Sequence, residues 1–187
     1  MKILWGMSAS YCNLDVVLEQ LQLDLHEYTF VCSDTLYEQS SRFYSSEEFL
    51  EILSKYTESH VLHTIGEVEK LTGYPFDVMV LAPCTANTLA KLVHGIYDNG
   101  LLMACKVALR NQIPIVVGFA SNDALGIGMV NLGMGMRMKY LYFVPLVQDN
   151  YVDKPNSMVC DWELLSSTID FALLHKQLQP VLRGKTL

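Results

Sequence analysis

The chain has 187 residues, 51% of them hydrophobic, which suffices for one sizeable core and is short for two, so a single domain over 1–187 is expected. A formal charge of -7, with no Lys/Arg stripe interleaved with aromatics, argues against nucleic acid as a partner. The opening "MKILWGMSAS" is too short in apolar residues for a secretion segment and no later stretch reaches membrane-spanning length, so a soluble cytoplasmic protein with no membrane partner is expected.

Short runs rich in Val, Ile and Phe alternate with stretches that carry apolar residues at helical spacing. That alternation predicts an α/β fold, a doubly wound parallel sheet covered by crossover helices in three layers. "KILWGM" reads as the first strand. Leu14, Val17, Leu18 and Leu21 then share one face of a helix behind Asn13, a candidate N-cap. "YTFVC" is a second strand, and "SDTLYEQSSRFYSS" reads as a polar loop with an Arg at its centre, long enough to be a mobile lid. Ser45 with Glu48 and Thr64 with Glu67 form two capping boxes, each starting a helix. "DVMVLA", "IPIVVGFA" and "LYFVPL" are further buried strands, "LLMACKVALRNQ" is a helix, and a last helix opens at Asp161 with Leu164, Leu165, Ile169, Ala172 and Leu173 toward the core.

Cys12, Cys32, Cys84, Cys105 and Cys160 are odd in number and lack metal-ligand spacing, so they read as reduced thiols and no metal site is expected. Cys12 and Cys84 fall where a strand meets a helix N-terminus, a setting that lowers a thiol pKa. In an open parallel sheet, ligands sit beyond the carboxyl ends of the strands. The loops there are "GMSASYC", "CSDT", "PCTANT" and "ASNDALG", all small and polar. Small residues admit a close ligand, and hydroxyls beside free helix N–H groups bind phosphate; the same hydroxyls also serve as plain helix caps. Neither the nucleoside triphosphatase loop nor the three-glycine dinucleotide fingerprint is present, so a mononucleotide fits better than a dinucleotide.

"APCTANTLAKLVHGIYDN" resembles the Pro-x-Ser/Thr-Ala-Asn-Thr segment of the flavin-dependent cysteine decarboxylase superfamily. The resemblance implies a flavodoxin-like flavoprotein fold, FMN as cofactor, and flavin contacts at Pro83, Thr85, Ala86 and Asn87. "GMSASY" is similar to that superfamily's opening turn at the FMN phosphate, with Ala9 in place of the usual glycine; the roles pass to Gly6, Ser8 and Ser10, with Ser33 as a second-strand candidate. The substrate segment of the decarboxylases survives here only as Ala120 and Asn122, and His63 lies in the general region of their active-site histidine. His94 stands at a helix C-terminus, where a cation is favoured in any case.

"KVALRNQIPIVVGFASNDALG", "LYFVPLVQDN", "KPNSMV" and "KQLQPVL" resemble the family of dipicolinate synthase B subunits, over nearly the whole chain. That resemblance implies a B subunit working with an A subunit that carries NADP. Together they would oxidise a cyclic dihydrodipicolinate-type intermediate to dipicolinate during sporulation. A dianionic substrate calls for cations, and Arg42 and Lys154 are the candidates, with Asn122 to orient a carboxylate or polarise the ring nitrogen. A cysteine-type decarboxylase using His63 as base, and a non-catalytic partner of the dehydrogenase, remain the alternatives. The superfamily resemblance further implies a homo-oligomer, trimeric or dodecameric, for which Met129, Met134, Met136 and Met138 could supply an adaptable surface.

Overall fold

The computed structural model describes residues 1–23 and 26–184. Its centre is a sheet of seven strands in the order β2-β1-β3-β4-β7-β6, with β5 beside β4. The strands are β1 (Lys2–Met7), β2 (Glu27–Cys32), β3 (Val78–Cys84), β4 (Ile115–Ser121), β5 (Leu141–Phe143), β6 (Leu146–Val147) and β7 (Met158–Cys160). β1 pairs in parallel with both β2 and β3, and β4 in parallel with both β3 and β5. All seven residues of β3 are buried, as its continuous apolar run requires of a strand covered on both faces.

The helices are α1 (Leu14–Leu23), α2 (Asp34–Glu38), α3 (Ser46–Ser54), α4 (Ile65–Glu69), α5 (Ala86–Val93), α6 (Gly100–Arg110), α7 (Gly128–Met136) and α8 (Leu165–Leu173). α6 packs on β1, β2 and β4, while α8 packs on β3, β4 and β5. Two glycines mark these two sheet faces. A Cβ at Gly6 would stand 2.5 Å from Leu101 of α6, and one at Gly118 would stand 2.8 Å from Trp162, in the turn that leads into α8. Trp5 anchors the second face by donating its indole N–H to Ala82 O at 2.7 Å. The architecture is the three-layer α/β sandwich expected from the alternation of elements.

Five local expectations need correction. The edge beyond β4 is antiparallel: β7 pairs with Ala120 and Ser121 of β4, and β6 pairs with β7. "LYFVPL" divides around Val144 and Pro145 into β5 and β6, since proline has no N–H for a ladder. The loop 33–46 contains α2, whose Leu36 is 1% exposed and belongs to the core. Asn13 does not cap α1; it ends a 3-10 turn over Tyr11–Asn13, and its amide donates to Ser10 Oγ at 2.8 Å. The last helix begins with a 3-10 turn over Trp162–Leu164 and stops at Leu173, with His175 at φ 54 just beyond it. Both capping boxes stand as read, at Ser45 with Glu48 and at Thr64 with Glu67.

Candidate functional site

The carboxyl ends of β1, β3 and β4 meet at one edge, and Ser8 fixes how the first two meet. Ser8 is 1% exposed; its hydroxyl donates to Pro83 O at 2.8 Å and accepts the Thr85 N–H at 2.9 Å. Its own N–H also donates to Pro83 O, at 3.0 Å. Ser8 and Pro83 thus brace the two loops from behind. Gly6 has its own reason, since a side chain there would strike Leu101 and Met79 in the core.

A cavity of about 530 Å³ opens in front of that brace. Ser10, Thr85, Ala86 and Asn87 line it from the loops after β1 and β3, and Asn122 from the loop after β4. Ser10 Oγ already accepts from Asn13, which leaves its proton free to donate into the cavity. Thr85 caps α5 by accepting the Thr88 N–H at 3.3 Å. The N–H groups of Ala86 and Asn87, in the first turn of α5, have no intrahelical acceptor and carry the positive end of the helix dipole.

Arg42 and Lys154 also line the cavity. Arg42 comes from the β2 side of the sheet and Lys154 from the turn before β7, so the strand order puts the two cations on opposite flanks. The Arg42 guanidinium lies 4.7 Å from the Phe43 ring. Its loop is a tied turn rather than the mobile lid expected. Ser41 N–H donates to Tyr44 O at 2.8 Å, Ser41 Oγ accepts from both Phe43 and Tyr44 N–H at 3.1 Å, and Tyr44 OH donates to Asp15. Among the described residues Asp149 is the one carboxylate in the lining, against two cations, although the chain is acidic overall.

Three residues of interest lie elsewhere or behave differently. Ser33 caps α2 by accepting the Leu36 N–H and does not line the cavity. His63 also stands apart from it: its ring stacks on Tyr37 with centroids 3.7 Å apart, and its Nδ1 lies 3.6 Å from Glu67 without making a hydrogen bond. Burial pushes the Cys84 thiol well above its ordinary pKa, against the expectation for a strand-to-helix junction, because the sulfur is walled off from water. Cys12 is exposed at the rim of the cavity.

Sequence reasoning missed Ser157, which lines the cavity from the start of β7. A strand of three residues carries too few positions for an alternation pattern, so nothing in "KPNSMV" places its serine on a wall.

The arrangement presents hydroxyl, amide and helix N–H donors around a polar hollow flanked by two cations. Its volume falls within the ~300–1,000 Å³ usual for small-molecule and cofactor sites. Comparison with known proteins agrees in kind. The model of the family described as Flavoprotein matches residues 1–139. The B subunit of dipicolinate synthase from Bacillus subtilis (strain 168) is 36% identical over 97% of this chain and 92% of that protein. The crystal structure of the B subunit of dipicolinate synthase from Bacillus halodurans C superposes with a TM-score of 0.87 at 35% identity, covering 98% of this chain and 96% of that one. The FMN-dependent cysteine decarboxylase SpaF shares the fold, with a TM-score of 0.67 at 18% identity over 94% of this chain and 97% of its own. The chain therefore belongs to the Flavoprotein family, on the branch of the dipicolinate synthase B subunits.

Proposed function

We propose that the cavity binds FMN and that the chain acts with an NADP-linked A subunit to oxidise a cyclic dihydrodipicolinate-type substrate to dipicolinate during sporulation. The observation that carries this reading is the convergence of Ser10, Thr85, Ala86, Asn87 and Asn122 on one hollow at the strand ends, three of them on the flavin-type loop. Their chemistry suits the cofactor: hydroxyl and helix N–H donors for a phosphate, and small side chains that let a flat ring lie close to backbone. The kinship with a B subunit supports the partnership.

When bound, FMN supplies a hydride acceptor. The chain's own residues bind and orient. Arg42 and Lys154, on opposite flanks, would each take a carboxylate of the substrate, and Asn122 would set the ring between them. Aromatisation drives the step, so positioning and exclusion of water are the protein's share. The cysteine decarboxylase alternative draws no support from His63, which stacks on Tyr37 and is not in the lining of the cavity. A homo-oligomer and a cytoplasmic setting complete the proposal; among the described residues no helix is long and apolar enough to cross a membrane.

The test is a titration of the purified chain with FMN, followed by flavin fluorescence. Saturable binding is expected, weakened at least about tenfold in Asn87→Asp and Ser10→Glu, where a carboxylate would face the anionic cofactor. Absence of binding at high flavin concentration would sink the flavin reading and leave a partner subunit without a cofactor.

A further inference from the structure

Buried hydroxyls in this fold have partners. Ser8 Oγ and Thr168 Oγ1 donate to carbonyls at 2.8 and 2.6 Å, and Thr88 Oγ1 meets Thr85 Oγ1 at 3.0 Å. Ser157 departs from that rule. It is 5% exposed, it lines the cavity, and its side chain makes no hydrogen bond to any described residue. Among the described residues the one side-chain polar atom both sealed from solvent and unpartnered is His63 Nδ1, so the Ser157 hydroxyl is reached from the cavity it lines and is free to donate to a molecule bound there.

The backbone around Ser157 is fixed. Its N–H donates to Lys154 O at 2.9 Å, and the carbonyl of Asn156 accepts from Leu125 at 3.0 Å. Met158, the next residue, pairs with Ser121 at the end of the antiparallel ladder, and Ser157 and Asn122, the residues just beyond that pair on each strand, both line the cavity. The turn ahead of it is tied as well. Lys154 N–H donates to Asn150 O at 2.8 Å, Asp153 N–H to Asn150 Oδ1 at 3.1 Å, and Gln148 Nε2 to Pro155 O at 2.7 Å. A tied wall thus brings a hydroxyl, a side-chain amide and the Lys154 ammonium to the same cavity.

Such a set of donors suits an oxyanion. Asp149 lines the same cavity and disfavours a highly charged group such as a polyphosphate, which favours a singly charged carboxylate. We propose that Ser157 is a specificity-determining residue whose hydroxyl donates to one carboxylate of the substrate, alongside Asn122 and Lys154, while Arg42 receives the other carboxylate across the cavity. The assignment rests on the flavin-site reading given above and deepens it by dividing the hollow into a cofactor portion and a carboxylate portion.

The experiment is a calorimetric titration of the full chain with pyridine-2,6-dicarboxylate, with and without FMN, repeated on Ser157→Ala and Lys154→Gln. Binding about tenfold weaker is expected in each variant, with FMN affinity unchanged. The melting temperature of Ser157→Ala should match that of the parent, because the hydroxyl makes no hydrogen bond to any described residue; a merely structural serine would lower it. Undiminished dicarboxylate affinity in Ser157→Ala overturns the proposal, and so does a failure of the parent chain to bind the dicarboxylate under either condition. Loss of FMN affinity with dicarboxylate affinity intact overturns it too, by assigning the hydroxyl to the cofactor. If FMN does not bind but both variants still weaken the dicarboxylate, the carboxylate portion stands and the flavin reading alone falls.

Discussion

Ser8 shows how one side chain can shape a cavity that it does not line. Its hydroxyl and N–H join the end of β1 to Pro83 and Thr85, and so set the distance between the two loops that line the cavity. Replacing it with alanine leaves the Thr85 N–H without its acceptor. Ser8→Ala is therefore expected to lower unfolding stability by about 1–3 kcal/mol and to weaken FMN binding as well, measured by urea denaturation and flavin titration on the same preparation. An unchanged flavin affinity in a destabilised variant would mean that the brace supports the fold and not the site. At this scale the sequence was informative in kind but not in role. "GMSASYC" announces a polar strand end, yet nothing in the string separates Ser8, turned into the core, from Ser10, turned into the cavity. Side-chain direction at a strand end is settled by the turn that follows, and here that is a 3-10 turn no periodicity reveals.

Among the elements, α4 is the most explicit case of local code. Thr64 Oγ1 accepts the Glu67 N–H, and Glu67 in turn accepts from the Thr64 N–H at 2.9 Å, the Thr64 hydroxyl at 2.8 Å and the His63 N–H at 3.1 Å. These bonds, the Thr64 N–H foremost and the His60 contact last, hold the Glu67 carboxyl down at about 2, against an ordinary value of 4.5, although its partial burial opposes the shift. A carboxylate depressed in the folded state contributes stability that is fully present above the ordinary value and is lost as pH falls through the folded value. Glu67→Gln should accordingly cost about 1 kcal/mol at pH 7, and the gap from the parent should close as pH drops from 4.5 toward 2. Urea unfolding at several pH values reads this directly, and a gap that ignores pH would refute the box as an electrostatic device. Capping boxes were legible because four consecutive residues carry the whole mechanism. α2 was not: five residues give barely one turn, and a single buried Leu36 in a polar stretch looks like a loop. β6 and β7 are shorter still, and their antiparallel pairing depends on a return of the chain after about ten residues that composition does not encode.

At the scale of the molecule, the sheet buries its apolar runs between two helical layers, and α7 is where that logic stops. Leu132 of α7 is 1% exposed and sits in the core, but Ile127, just ahead of the helix, is 80% exposed and Val130 is 65% exposed. Met129 and Met134 are also exposed, whereas Met136 and Met138 pack against the core, so the methionines expected to form one surface divide between two roles. Leu125, Met129 and Met136, with Leu182, line an apolar hollow of about 260 Å³ beside this face. Exposed apolar side chains gathered on one short segment beside such a hollow are expected to meet another chain. The face lies on the segment that follows Asn122, so assembly there would bear on the loop that lines the site. Ile127→Asp combined with Val130→Asp places two charges where neither side chain contributes to the core. Folding stability is expected to change by no more than about 0.5 kcal/mol per site, while light scattering should show a smaller particle than the parent forms. A particle of unchanged mass would remove α7 from the assembly surface, and a monomeric parent would show that the patch awaits a different chain, for which the A subunit is the first to test.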